Sequence, residues 1–306
     1  MSRAGEVLST IPLSTLSFGT LCVLMYMAQI LFNLSLHQYT MNPRGVIFQH
    51  EFHRMITSSF CHGSLLHIGM NMMSYMALGK LLERKFGTLF MTFTVVNSIV
   101  LSSVIYILIA LATYAFGSEK LMNQHSLGFS GVLFHLLVLE SKVRPNTSQS
   151  IFGMFHIPAK YYPWFMLVAI QFLMPNISFV GHLSGVLCGT LQSSGHLRYS
   201  MPTVKFIRIT EESERLRWVT SFPSFINTPA TNDDFVMFTN TLGGGGAQSF
   251  TIPMYTFARN SIETVRFIIF GREGEEEIAE QGVALNEGEW IVIPSPRIDP
   301  AQAELV

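Results

Sequence analysis

Six apolar segments follow one another in the first two thirds of the chain, and they constrain its fold more than any other feature. They cover residues 13–36, 64–82, 88–115, 127–139, 161–175 and 178–194. About 20 apolar residues in a helix cross the hydrocarbon core of a bilayer, and helices satisfy all of their backbone polar groups internally. The segments therefore predict an all-α membrane protein built as a bundle of six transmembrane helices.

Charged residues are divided unevenly along the chain. Residues 1–195 carry 10 basic and 5 acidic side chains and residues 196–306 carry 9 and 15, out of 19 and 20 in total. This division predicts a short N-terminus (1–11), a six-span domain embedded in the bilayer (12–195) and a polar tail (196–306). No basic face of the kind that binds nucleic acid is present, so we expect no nucleic-acid partner.

The tail has weaker signals. Thr210 is a suitable N-cap for an amphipathic helix over residues 210–219, and Gly243–Gly246 resembles a hinge. Alternating or β-branched pieces follow at 250–257, 264–270 and 290–293. They are compatible with a small β-containing module and equally with a loosely ordered tail, which has an unknown cytosolic partner or none.

Basic residues predict the orientation of the bundle. If the N-terminus is cytosolic, ten basic residues up to Arg208 fall on the cytosolic side and only Arg44, Arg54 and Lys120 fall on the other. Cytosolic loops of membrane proteins are enriched in Lys and Arg. Both termini are therefore expected in the cytosol.

The fourth apolar segment is too short to cross a bilayer. It has about 13 residues before Glu140, whereas a full span needs about 20. Its first backbone N–H groups must then face protein or water, because lipid would leave them unpaired. A polar cavity inside the bundle is the predicted consequence.

Three polar clusters lie at the non-cytosolic ends of the even-numbered spans, where polar groups are costly and usually functional. They are His62–Asn71, with His67 and Asn71 on one helical face, Gly128–Gly131, and Gly181–Gly189. Spans two, four and six run in the same direction. The clusters therefore share one leaflet, and Ser130, His182, His67 and Asn71 are expected to converge on one cavity.

These residue types fit acyl transfer. A serine hydroxyl needs a base to become a nucleophile, and His182 is the available imidazole for Ser130. The helix N-terminus at Ser130 can stabilise an oxyanion together with His67 and Asn71. No carboxylate is available in that leaflet, so the pair would act as a dyad.

Neighbouring residues have supporting roles. Phe134 is expected to pack on the His182 ring, and Gly185 and Gly189 form a small-residue face that permits close contact between helices four and six.

Two other classes of function compete with a hydrolase: a catalytically inactive membrane adaptor that binds client proteins, and a transporter. A transporter is disfavoured because no charged residue lies deep in a span and no repeat relates the two halves. We expect no cofactor and no metal, because His62 and His67 are five residues apart rather than four.

The three clusters resemble the signatures of the rhomboid intramembrane serine proteases. The matching patterns are His62-x4-His67-x3-Asn71, Gly128-x-Ser130-Gly131 and His182-x2-Gly185-x3-Gly189. Arg54 matches the arginine of the family's first-loop Trp-Arg pair, with His53 in place of tryptophan, and Glu83 matches the acidic residue that closes the second helix. The run 178–183 is most similar to the endoplasmic-reticulum branch, which has six spans and a long cytosolic tail.

The resemblance implies a function and a place for it. Transmembrane proteins would be cleaved near their helix ends, with Ser130 as nucleophile and His182 as base. His67 and Asn71 would serve the oxyanion, and His62 would support that region. The expected location is an endomembrane, with the lipid bilayer and transmembrane substrates as partners.

Overall fold

The computed structural model describes residues 11–151 and 155–229. Within these ranges seven helices have eight or more residues. They are α1 (Leu13–Leu31), α2 (Leu65–Phe86), α3 (Thr88–Ala115), α4 (Ser130–Val143), α5 (Tyr162–Leu173), α6 (Phe179–Ser193) and α7 (Val204–Glu211).

Shorter elements join these helices. Four short α-helices span Pro43–Phe48, Arg54–Phe60, Lys120–Asn123 and Arg217–Thr220, and 3-10 turns span Leu36–Gln38, Ala159–Tyr161, Arg198–Ser200 and Glu214–Leu216. Between α4 and α5, β1 (Ser148–Ile151) pairs antiparallel with β2 (Phe155–Pro158), with Ser148 opposite Pro158. The hairpin is an exception to the predicted all-α fold of the described domain.

A helix is present at each of the six predicted apolar segments. Two of them, α1 and α3, are long and apolar enough to cross a membrane, with 19 and 28 residues. The shortness of the fourth helix is confirmed, since α4 has 14 residues, and α5 has only 12.

Helix α4 is the centre of the bundle and contacts α2, α3, α5 and α6. Its residues Val132, Leu136 and Leu139 are almost completely buried. They pack in one apolar cluster with residues of α2 and α3 such as Leu82 and Val95. This packing against α2 and α3 fixes the position of α4 and of its first turn.

The first part of the polar tail packs against the bundle. Met201 and Ile207 are buried in the same apolar cluster as α4. The helix expected at 210–219 is misplaced: α7 begins at Val204, because the Thr203 side chain accepts a hydrogen bond from the Phe206 N–H at 3.2 Å. Thr210 lies inside this helix.

Residues 224–228, the closing segment, run back across the start of two long helices. The Leu13 N–H donates to the Ser224 carbonyl and the Thr88 N–H donates to the Ile226 carbonyl, each at 2.8 Å. These bonds satisfy N–H groups that helix α1 and helix α3 leave unpaired at their starts. The glycine-rich hinge and the β-rich pieces predicted after residue 240 lie outside the described residues.

Candidate active site

Ser130 is the first residue of α4, and the turn before it depends on Gly128. Gly128 has φ +118°, and its N–H donates to the Ser58 carbonyl at 2.9 Å. A Cβ at this position would lie 2.7 Å from Cε1 of His67. Only glycine therefore lets the His67 ring approach the turn that presents Ser130.

His182 lies in the first turn of α6, which Ser178 caps by accepting a hydrogen bond from the Gly181 N–H at 3.2 Å. The imidazole is buried, and the Phe134 ring lies against it with ring centroids 4.8 Å apart. Nδ1 is enclosed and has no hydrogen-bond partner among the described residues. Nε2 is therefore the nitrogen available to a neighbouring hydroxyl.

Helices α4 and α6 meet through backbone at two glycines. A Cβ on Gly185 would collide with the Gly131 carbonyl, and one on Gly189 would lie 2.9 Å from the His135 carbonyl oxygen. The close contact predicted from the glycine spacing is confirmed. It places the first turns of the two helices side by side.

Ser130, His182 and His67 line one cavity of about 250 Å³. Within the described part of the chain, no hydrogen bond joins the Ser130 hydroxyl to His182. Such bonds are often long before substrate binds. The cavity matches the polar hollow predicted from the short fourth helix.

Asn71 does not line this cavity, contrary to the prediction that four polar side chains converge there. It lies one turn below His67, where its side-chain amide donates to the His67 carbonyl at 2.8 Å. Its Oδ1 is buried and has no hydrogen-bond partner in the described part of the chain. The one-turn offset along α2 places Asn71 below the cavity while His67 reaches it.

His62 lies directly against His67, with ring centroids 5.1 Å apart in an edge-on arrangement. Its backbone is fixed by Gln29 of α1, whose side chain donates to the His62 carbonyl at 3.0 Å and accepts from its N–H at 3.3 Å. Burial, together with the neighbouring His67, lowers the pKa of His62 to about 4. A neutral imidazole thus supports the His67 ring.

Arg54 organises the loop between α1 and α2. It donates to Glu51 Oε2 at 2.7 Å and to the carbonyls of His37 and Thr40 at 2.5 and 3.0 Å. The hydrogen bond from Arg54 holds the pKa of the Glu51 carboxyl below its usual value. His53, where the family pattern has tryptophan, contacts the Gln38 carbonyl through Nε2 at 3.1 Å.

Glu83 is completely buried far from the cavity, where it joins three helices. It accepts from the Ser14 and Thr15 N–H groups and from the hydroxyls of Thr15 and Thr88, all between 2.7 and 2.8 Å. A carboxylate at the start of α1 also complements the helix dipole.

Several residues of the cavity wall were not predicted. Ser98, Ser102 and Tyr106 of α3 line it, as does His125, whose Nδ1 is 2.7 Å from the Thr40 hydroxyl. Ser98, Ser102 and Tyr106 recur every four residues within an otherwise apolar segment. That spacing was the available signal, because it places polar groups on one helical face.

Comparison with known proteins decides the family. Residues 49–198 match the family model described as the rhomboid domain. The chain belongs to the rhomboid family. It is therefore a membrane protein whose rhomboid domain contains Ser130, His182 and the cavity between them.

Some relatives are named as serine proteases, and others are named only as rhomboid-like or rhomboid-related proteins. "Rhomboid-like protein 15" of Arabidopsis thaliana is 35% identical over 259 residues, which cover 83% of this chain and 60% of the relative. "Rhomboid-related protein 4" of Mus musculus is 34% identical, over 53% of this chain and 51% of the relative. "Rhomboid-type serine protease 2" of Eremothecium gossypii is 28% identical, over 60% and 68%. The chain spans between half and three fifths of the length of the first two.

Proposed function

We propose that this rhomboid protein is an intramembrane serine endopeptidase with Ser130 as nucleophile and His182 as general base. The observation that carries the proposal is that Ser130 and His182, in the first turns of two adjoining helices, line a single cavity. Close backbone contact through Gly131 and Gly185 supports the pairing.

The proposed reaction is amide hydrolysis through an acyl-enzyme. Ser130 Oγ attacks the scissile carbonyl carbon while its proton passes to His182 Nε2, and the imidazolium then protonates the leaving amine. Water hydrolyses the ester in a second step, with the same imidazole as base. Free N–H groups at the start of α4 and the His67 side chain stabilise the oxyanion.

In the structure the Asn71 amide binds the backbone of its own helix, whereas in the proposed reaction it would donate to the oxyanion. This amide donates to the His67 carbonyl, so a rotation of the side chain is needed before it reaches an oxyanion. His62 and Phe134 hold the two imidazoles, and Gly128, Gly131, Gly185 and Gly189 permit the close approach of the backbone. Arg54 stabilises the loop between α1 and α2, and Glu83 stabilises the starts of α1 and α3 through hydrogen bonds.

We also propose six membrane spans with both termini in the cytosol, as the basic residues indicate. Helix α4 then begins below the non-cytosolic surface, where the cavity meets the ends of substrate helices. Transmembrane proteins of an endomembrane, the endoplasmic reticulum in particular, are the proposed substrates.

A second function is a rhomboid-like adaptor that binds membrane clients without cleaving them. It is supported by the names of two relatives, "Rhomboid-like protein 15" and "Rhomboid-related protein 4", which state no protease activity. A fluorophosphonate probe, which reacts only with an activated serine, separates the two functions.

The experiment uses the purified full chain in detergent or bicelles. The protease predicts covalent labelling that is lost in Ser130→Ala and falls at least about 100-fold in His182→Ala. Ser126→Ala is the matched control, because Ser126 lines the same cavity but has no role in the proposed reaction. Labelling that persists in Ser130→Ala would show that another residue is the nucleophile. If the unaltered protein is not labelled, the result supports the adaptor.

A further inference from the structure

The segment 204–222, the interface segment, exposes four large apolar side chains among its many charged and hydroxyl residues. Phe206, Ile209, Trp218 and Phe222 are 53%, 58%, 69% and 47% exposed. Phe206 and Ile209 lie on one face of α7, turned away from the buried Ile207. Such clustered exposure of apolar surface marks an interaction site.

The level of this segment relative to the bilayer is inferred from the closing segment, which follows it in the chain. The Leu13 N–H donates to the Ser224 carbonyl and the Thr88 N–H to the Ile226 carbonyl. Leu13 and Thr88 begin α1 and α3, which are both long and apolar enough to cross a membrane. Phe222 is only two residues before Ser224, a reach of roughly 7 Å at most. The headgroup layer at each face is roughly 5–7 Å thick.

The aromatic pair at the end of the segment has the form of an interfacial anchor. The Trp218 and Phe222 rings are 6.3 Å apart, one helical turn from each other. Trp is enriched where the apolar core meets the headgroups, because its ring is apolar and its N–H is wet.

The charges of the segment do not favour a strongly charged partner. Arg217 pairs with Glu214 at 3.0 Å. The Glu211 carboxylate accepts hydrogen bonds from the N–H and the hydroxyl of Thr228. Binding of a partner to this segment therefore depends on its exposed apolar side chains rather than on its net charge.

We propose that the interface segment lies in the lipid headgroup layer at the face where α1 and α3 begin, with Trp218 and Phe222 inserted at the edge of the acyl chains. The occupant of this apolar surface is phospholipid. Residues 223–229 are thereby held near the membrane surface, independently of whether the cavity is catalytic.

The test is depth-dependent quenching of tryptophan fluorescence in the full chain. The chain has three tryptophans, so Trp164→Phe combined with Trp290→Phe leaves Trp218 as the reporter. The protein is placed in phosphatidylcholine nanodiscs whose acyl chains carry bromine either near the headgroup or near the bilayer centre.

An interfacial Trp218 should lose about half of its emission to the shallow bromine, little to the deep bromine and little to aqueous iodide. The reporter with only Trp164, on a proposed span, is the lipid-exposed control. Strong quenching by iodide without quenching by either bromolipid would overturn the proposal and leave a protein partner as the occupant. The far-ultraviolet circular dichroism of each variant verifies its fold.

Discussion

Gly128 occupies a backbone conformation that L-residues rarely adopt, beside a ring that leaves no room for a side chain. We expect Gly128→Ala to lower the free energy of unfolding by about 1–3 kcal/mol from backbone strain alone. It should also reduce fluorophosphonate labelling at least tenfold, because the new methyl group displaces His67. Rates of labelling and thermal unfolding in detergent measure both effects.

Gly117 provides the matched control. It also has a positive φ, +86°, but no atom of the described residues lies within 4 Å of its Cβ position. Gly117→Ala should therefore share part of the loss of stability and keep the labelling rate. Equal loss of labelling in both variants would show that strain, and not displacement of His67, explains the effect.

His62 predicts a dependence of stability on pH. Its pKa in the folded protein is about 4, below the usual histidine value of about 6.5, so the unfolded chain takes up the proton first as the pH falls. The contribution is complete above pH 6.5 and is lost towards pH 4. By pH 5 the loss amounts to about 2 kcal/mol.

Thermal unfolding of the protein and of His62→Gln at pH 7.5 and pH 5 checks this sign. The variant keeps a polar side chain but cannot titrate, so its unfolding temperature should fall less on acidification. Identical pH dependence of the two proteins would mean that His62 is not buried in its neutral form.

Residue types and spacing predicted which helix ends come together better than they predicted where each side chain points. Ser130, His182 and His67 reach the cavity because each lies in or near the first turn of its helix. Asn71 shares a helical face with His67, but helical periodicity does not specify how deep along that face a cavity extends. Glu51, the partner of Arg54, gave no signal because a local ion pair depends on how the loop closes.

At the scale of elements, the contact between α4 and α6 depends on glycine. Gly185→Ala places a methyl group against the Gly131 carbonyl and forces the helices apart. Overpacking of this kind costs about 1–3 kcal/mol. Since the first turns carry Ser130 and His182, we expect labelling by the fluorophosphonate probe to fall by about two orders of magnitude.

Gly69→Ala on α2 is the control for this prediction, because nothing in residues 11–151 and 155–229 lies within 4 Å of its Cβ position. That variant should be neutral or slightly more stable, as alanine favours the helix by up to about 1 kcal/mol. Normal labelling of Gly185→Ala would remove the close helix contact from the proposed mechanism.

Helix positions could be predicted from the chain because apolar segments and their polar ends are local features. The tail helix was misplaced since both Thr203 and Thr210 are competent N-caps, and packing of Ile207 into the bundle selected the first. The hairpin of β1 and β2 has no strong local signal. Its strands are held by pairing with each other.

At the scale of the whole molecule, one carboxylate connects distant parts of the chain. Glu83 of α2 binds the start of α1 and the Thr88 hydroxyl of α3, and that hydroxyl also accepts the Ile226 N–H at 2.9 Å. Residues 14, 83, 88 and 226 thus meet although they are far apart in sequence. Such a junction could not be predicted, because backbone donors carry no signature in the residue types.

Glu83→Gln tests whether this junction stabilises the molecule. The amide replaces one accepting oxygen by a donor, so at least one buried N–H or hydroxyl loses its partner, at a cost of about 1–3 kcal/mol. We expect the free energy of unfolding to fall by that amount when measured by SDS titration in mixed micelles. Glu119→Gln, which removes an exposed ion pair with Arg44, should change it by less than about 1 kcal/mol. If the two variants were equally stable, α1 and the closing segment would have to be held by apolar packing alone, and the tail's attachment would then depend on Ile207 and Phe225 rather than on the Glu83 network.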